Sequence, residues 1–236
     1  MRLNLDKERI LKNINIVLVS PQIPENIGLV SRVLKNTKVT NLRLVRPFLS
    51  SKSFEVAKRA SDVLKKAKTY ESLEDAIQDL YYTFGTTRRH RKYKLIYNFI
   101  NILPQIIFLA SGKKIGIIFG QEDFGLSKKD LELCDSIFYI PANPDFSSYN
   151  LAMSVVIVCF EIFNFLESIY SFSSLDLARR KDIEALFGFI EKRLKKVESL
   201  PRKDLFFSSA RRTLRKLLLT KKEVEILKTI FLKMQL

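Results

Sequence analysis

The chain of 236 residues has no tryptophan, one histidine (His90) and two cysteines, Cys134 and Cys159. Two cysteines give no disulfide framework and no metal-ligand spacing. With a single histidine, a zinc site built from protein ligands is not expected. No Gly-x-Gly-x-x-Gly follows the first apolar run, so a dinucleotide-binding strand–loop–helix loses support. FGQEDFGL (119–126) lacks the Gly-Lys-Ser/Thr ending of a phosphate-cradling loop. The N-terminus, MRLNLDKERI, carries charges where a signal peptide needs an apolar stretch. The apolar run from Leu151 ends at Glu161, about half of the roughly 20 residues that span a bilayer. A reducing, cytoplasmic location with no membrane partner is the default expectation.

Acidic residues are also short in number: 25 against 41 Lys and Arg, a net charge of +16. Such an excess points to a polyanionic partner and says nothing of fold. The excess is uneven. Residues 177–236 hold 17 basic and 7 acidic side chains, so +10 of the +16 lies there.

Hydrophobic patterning divides the chain into an α/β part and a helical part. INIVLV (14–19) and IGIIF (115–119) are continuous apolar runs of strand length, as expected of strands buried on both faces. Shorter runs at 42–45, 81–84 and 137–140 read as further strands. Between them, Ile27, Val30, Val33 and Leu34 recur at helical spacing, and 57–68 and 72–80 read as helices, the latter capped by Ser72. Alternation of strands and helices predicts a parallel sheet with ligand sites on the loops at its C-terminal edge. The polar segment 85–92 is expected to be one such loop. Beyond 171–174 (SFSS) no strand pattern appears. Leu186, Phe189, Ile190 and Leu194 keep helical spacing, and Thr220 with Glu223 forms a capping box ahead of Val224 and Leu227. The expected domains are therefore 1–172 and a basic helical extension, 173–236.

Three segments fall on the expected sheet-edge loops: PENIGLVSR (24–32), FGQEDFGL (119–126) and IPANPDFSSYNLAMS (140–154). Each alone has an ordinary reading. Asn26 suits a helix cap, Gly28 suits close packing on the sheet, Arg32 suits a solvated helix face, and Gly120 and Gly125 suit turns. In that order and spacing, however, the segments resemble the three motifs of the SPOUT (SpoU–TrmD) methyltransferase superfamily. The resemblance is to its TrmH-like ribose 2′-O-methyltransferase branch and, within that, to the TrmJ-type tRNA enzymes. Leu133, Cys134 and Asp135 leading into a strand, Asn143 and Pro144 before the third segment, and 211–227 of the extension carry the closer likeness. Tyr149 and Met153 depart from the usual third motif.

The resemblance implies a trefoil-knotted α/β domain that forms a homodimer, uses S-adenosyl-L-methionine and methylates tRNA, at nucleotide 32 of the anticodon loop in the TrmJ-type group. It implies Arg32, Asn26, Glu122, Ser148 and Asn150 as the catalytic set. Arg32 suits an electrostatic clamp better than a base, because a guanidinium stays protonated in proteins. Glu122, the one carboxylate of the set, is expected to pair with it. Gly85, Thr86, Gly120, Ile140 and Leu151 are the expected cofactor contacts, with Ile140 and Leu151 reading equally as core. Arg88, Arg89 and Arg91, beside that site, and Lys195, Lys196, Arg211, Arg212 and Arg215 of the extension are expected to meet RNA phosphates. Alternatives are the same chemistry on rRNA, a catalytically silent RNA-binding protein on the same scaffold, and a peripheral membrane protein with basic amphipathic helices.

Overall fold

The computed structural model describes residues 6–88, 95–173, 176–195 and 202–234. The chain divides into two compact units, residues 1–166 and 167–236.

In the first unit, α1 (Lys7–Asn13) precedes β1 (Ile14–Val19), α2 (Pro24–Thr37), β2 (Asn41–Val45) and α3 (Ser51–Ala57). A 3₁₀ turn (Lys58–Ala60), α4 (Ser61–Lys65), β3 (Lys68–Tyr70), α5 (Leu73–Ile77) and β4 (Tyr82–Thr86) follow. Then come β5 (Ile96–Asn98), α6 (Phe99–Ala110), β6 (Ile115–Phe119), α7 (Lys128–Glu132), β7 (Ser136–Tyr139) and α8 (Leu151–Ser173). The seven strands form one sheet in the order β3-β2-β1-β6-β4-β7-β5, every pairing parallel. β1 and β6 lie side by side at its centre, Ile16 opposite Ile117. Every residue of both strands is buried, which is why their sequences are apolar runs; the one polar residue, Asn15, donates to Ile115 O at 3.1 Å.

The α/β architecture with flanking helices is as expected from the sequence. Several elements differ in detail. The helix expected over 57–68 is interrupted at Lys58, whose φ of 48° and ψ of −121° end α3, and Lys68 already belongs to β3. Gly85 and Thr86 lie in β4, not in a loop. The segment before β6 holds α6, which carries Pro104 in its interior and is capped by Asn98 Oδ1 accepting from the Ile100 N–H at 3.1 Å. Finally, the apolar run from Leu151 is interrupted at Glu161, but the element does not end there, and α8 runs 23 residues. Its stretch Leu151–Ile169 is long and apolar enough to cross a membrane by length and composition. One face of it, with Leu151, Ala152, Val155, Val158, Cys159, Ile162 and Leu166, is buried in the main core.

The second unit contains α9 (Arg180–Leu194), α10 (Lys203–Lys216) and α11 (Lys221–Lys233). Its small core joins Ile183, Leu186 and Ile190 of α9 to Val224 of α11. Phe187, not Phe189, fills the inner face of α9, and its ring meets Phe207 edge-on at 6.5 Å. The Thr220–Glu223 capping box forms as its sequence predicts.

Candidate active site

The C-terminal edge of the sheet gathers the loops after β1, β6 and β7. Glu122, in the loop after β6, accepts three hydrogen bonds. Gln22 N–H and Ile23 N–H donate to its carboxylate at 3.0 and 3.2 Å, and Asn26 Nδ2 donates at 2.8 Å. The carboxylate thus sits at the N-terminus of α2, where free N–H groups and the helix dipole favour an anion. Asn26 is 4% exposed, and its Oδ1 accepts from Asn150 Nδ2 at 3.0 Å. Asn150 Oδ1 in turn accepts from Ala152 N–H at 2.8 Å and so caps α8. Asn26 therefore joins the other two loops to α2 and does not cap that helix. Ile23 holds the capping position, with no side-chain bond.

Gly120 makes this geometry reachable. A Cβ there would lie 2.0 Å from Gly125 C and 2.1 Å from Leu126 N. The loop curls back on itself, with Gly125 N–H donating to Gln121 O at 2.9 Å and Gly125 at φ +67°. The glycine is required by the loop's own backbone, not by a ligand. Gly28 answers to α3 and not to the sheet: a Cβ would meet Ser53 O at 2.5 Å.

A cleft opens against these loops. Thr86, Arg88, Gly120, Glu122, Ile140, Ser148 and Leu151 all line it, together with Phe119, Phe124 and Tyr149. Its walls are apolar at Phe119, Ile140 and Leu151 and polar at the two serines, 147 and 148, and at Thr86 and Thr87. Tyr149, which departs from the usual motif, turns its hydroxyl back to donate to Pro141 O at 3.1 Å and so closes the loop after β7. Ser148 is exposed and has no side-chain hydrogen bond among the described residues.

Asn26 and Asn150 do not line the cleft but are tied to Glu122, which does, and Gly85 and Arg32 fall elsewhere. Gly85 does not line the cleft, because the space a Cβ would take is filled by Cys134 Sγ at 2.7 Å. Burial pushes the Cys134 thiol up to about 12. Arg32 does not pair with Glu122, whose oxygens are already held by three N–H groups. It lies six residues beyond Asn26 on α2, about 120° away around the helix. It is exposed, with no ion pair or hydrogen bond among the described residues.

Of the expected RNA contacts, Arg88 is at the cleft, whereas Arg89 and Arg91 (with His90) and Lys196 lie outside the described residues. In the helical unit, Lys195 pairs with Glu191 at 3.0 Å and Arg215 with Glu184 at 2.6 Å. The Arg215 guanidinium holds the Glu184 carboxyl below its usual range. Arg211 lies 4.5 Å over the Phe187 ring and reaches Glu184 at 3.7 Å. Arg212 is exposed with no partner among the described residues.

Phe124 lines the cleft although the sequence does not mark it, and it stands inside the second motif, 68% exposed; Tyr149, noted in the sequence only as a departure from the third motif, lines it too. The clamp of Gln22 and Ile23 on Glu122 uses backbone N–H groups, which leave no sequence signal.

Residues 13–160 match the SpoU rRNA Methylase family. The chain is 35% identical over 153 residues to an "Uncharacterized tRNA/rRNA methyltransferase" of Haemophilus influenzae, covering 64% of this chain and 63% of that protein. It is 35% identical over 159 residues to the tRNA (cytidine/uridine-2′-O-)-methyltransferase TrmJ of Citrobacter koseri, covering 64% of each. The chain thus spans less than two thirds of the length of these curated relatives. Among solved structures, a probable methylase family protein from Haemophilus influenzae Rd KW20 superposes with a TM-score of 0.77 at 28% identity, covering 94% of both chains.

Proposed function

The chain belongs to the SpoU rRNA Methylase family, and from that premise we propose that it is an S-adenosyl-L-methionine-dependent tRNA ribose 2′-O-methyltransferase. The expected target is nucleotide 32, cytidine or uridine, of the anticodon loop. The observation that carries this reading is the chain of hydrogen bonds Glu122–Asn26–Asn150, which fixes three loops around one cleft. The relatives named as tRNA 2′-O-methyltransferases support the choice of tRNA.

The cleft suits the cofactor chemically. Ile140 and Leu151 offer apolar walls to an adenine, and the backbone at Thr86 and Gly120 offers polar groups to its sugar and tail. When bound, the sulfonium supplies an electrophilic methyl group. What remains for the protein is to align the ribose oxygen and ease loss of its proton. Ser148 lines the cleft and would orient the ribose, Asn150 acts through Asn26 and the start of α8, and Arg32 acts as a cationic clamp on the ribose or its phosphate.

Arg32 reaches such a cleft if a second copy supplies it. α8 exposes Met153, Val156 and Phe160 on the face away from the core. The Asn26–Asn150 bond sets the start of α8 beside the start of the helix that bears Arg32. We therefore read α8 as the contact helix of a cytoplasmic homodimer and not as a membrane span. The helical unit is proposed to grip tRNA, with Arg212 free and Lys195, Arg211 and Arg215 exchanging carboxylates for phosphates; Arg88 would do so at the cleft.

The test is incubation with labelled cofactor and unmodified tRNA, followed by nucleoside mapping. Label in a 2′-O-methylated nucleotide at position 32 is expected. Label in rRNA alone would favour the rRNA reading that the family's description suggests. Label in neither would overturn the proposal.

A further inference from the structure

The uneven charge of the first unit leads to a surface that the helical extension does not explain. Residues 32–68 contain eleven basic side chains and two acidic ones, Glu55 and Asp62, a net +9 within 37 residues. The fold accounts for some of the eleven. Arg43 is buried and bound to Asp79. Lys35 pairs with Asp62 at 2.7 Å and Lys52 with Glu55 at 3.3 Å, so both acids are already neutralised. Arg32, Lys38, Lys58, Arg59, Lys65 and Lys66 are exposed, and among the described residues none has an ion pair or a side-chain hydrogen bond. The helical unit holds both kinds: Lys195, Arg211 and Arg215 have acidic partners there, while Arg212 has none among the described residues.

These free cations lie on neighbouring elements. Arg32 of α2 and Lys38 just past its end are exposed, and Lys35 Nζ bridges α2 to the 3₁₀ turn by donating to Arg59 O at 2.6 Å. Lys58 holds φ 48° and ψ −121°, a conformation glycine adopts freely and lysine does not. A strained residue that keeps a charged side chain is a candidate for function. Phe54 of α3 and Phe48 are exposed at 39% and 59%. Phe48 N–H donates to Pro21 O at 3.0 Å, which ties this region to the loop that clamps Glu122. Exposed rings among unpaired cations suit a single strand, with bases stacked and phosphates neutralised.

We propose that the face formed by α2, α3, the 3₁₀ turn and α4 is a second RNA-binding surface, on the catalytic unit itself, holding the phosphates that flank the reactive nucleotide. The inference rests on the RNA-methyltransferase reading. Lys58 and Arg59 are its centre, and Lys65 and Lys66 extend it. Contacts of this type position a strand without reading its sequence.

The test uses the full chain with Lys58→Gly/Arg59→Gln, with Lys65→Gln/Lys66→Gln, and with the four changes combined. Lys58→Gly suits the backbone at that position, so the variants should fold. Affinity for unmodified tRNA is measured from about 50 to 200 mM salt, alongside affinity for S-adenosyl-L-methionine. Each phosphate contact removed should flatten the log–log salt dependence by about 0.7 to 1. The combined variant should lose at least about tenfold in tRNA affinity at the lowest salt, with cofactor affinity unchanged. The charge-keeping pair Lys58→Arg/Arg59→Lys should stay close to wild type. Wild-type affinity and slope in the combined variant would overturn this surface alone. Absence of salt-dependent tRNA binding by the wild type would overturn the RNA reading and this surface with it. Loss of binding to phosphatidylserine vesicles with tRNA binding intact would assign the face to a membrane and overturn the proposal.

Discussion

Asn150 Nδ2 donates to Asn26 Oδ1 at 3.0 Å across 124 positions of sequence. Asn26 Nδ2 points the other way, to Glu122. An amide is the one side chain of this size that accepts on one side and donates on the other. Asn26→Asp would keep the acceptor for Asn150 but set a carboxylate against Glu122. Like charges at hydrogen-bond distance raise the pKa of one of the pair and loosen the contact. Methyl transfer should fall about 100-fold or more at pH 8 and recover in part toward pH 5, where one carboxyl takes a proton. A pH–rate profile parallel to wild type would refute this role for Asn26.

Arg32 offers the opposite case. It is exposed and has no partner among the described residues, so the fold does not depend on it. Arg32→Ala should shift the melting temperature little, since surface changes away from such features usually lie within about 0.5 kcal/mol. Cofactor affinity should also hold, while kcat falls by 100-fold or more. Full activity in the variant would remove Arg32 from the chemistry.

How much was legible beforehand depends on what each element hides or shows. β1 and β6 were readable because both faces of each are buried and, apart from Asn15, the sequence carries only apolar residues and a glycine. β3 and β5 have three residues each, largely exposed, and so leave no pattern. α6 was hidden by Pro104, a residue that usually ends a helix. The three site loops were recognisable as ordered motifs, but their mutual hydrogen bonds link positions about 100 apart, which spacing cannot show. The expected Arg32–Glu122 pair failed for a geometric reason. The carboxylate is taken by N–H groups at the start of α2, and the arginine points from another side of that helix.

Gly120→Ala tests the curled loop directly. The new Cβ would lie 2.0 Å from Gly125 C and 2.4 Å from Gly125 O, both backbone atoms that cannot swing aside. The loop that carries Glu122 must then open. Stability should fall by about 1–3 kcal/mol, the usual range for overpacking, and cofactor affinity should drop with it. Gly112→Ala is the control, because no atom lies within 4 Å of a Cβ there. Equal thermal midpoints for the two variants would show that the loop relaxes freely.

The buried Arg43 supplies a pH-dependent prediction remote from the cleft. It is 5% exposed on β2, donates to Asn15 Oδ1 at 3.1 Å and Ala76 O at 2.7 Å, and is bound to the half-exposed Asp79. The hydrogen bond from Arg43 holds the Asp79 carboxyl below its ordinary value of 3.8. A carboxyl lowered on folding stabilises the fold above its unfolded value and loses that contribution as pH falls through the folded one. Asp79→Asn should therefore cost about 1–2 kcal/mol at pH 7, the scale of a hydrogen bond to a charged group with one partner in solvent. The gap between wild type and variant should hold from pH 8 down to about pH 5, then narrow below about pH 4 as the wild-type carboxyl protonates. Urea unfolding at a series of pH values measures it, and a gap that widens toward acid would contradict the assignment of Asp79 as the partner that keeps Arg43 buried.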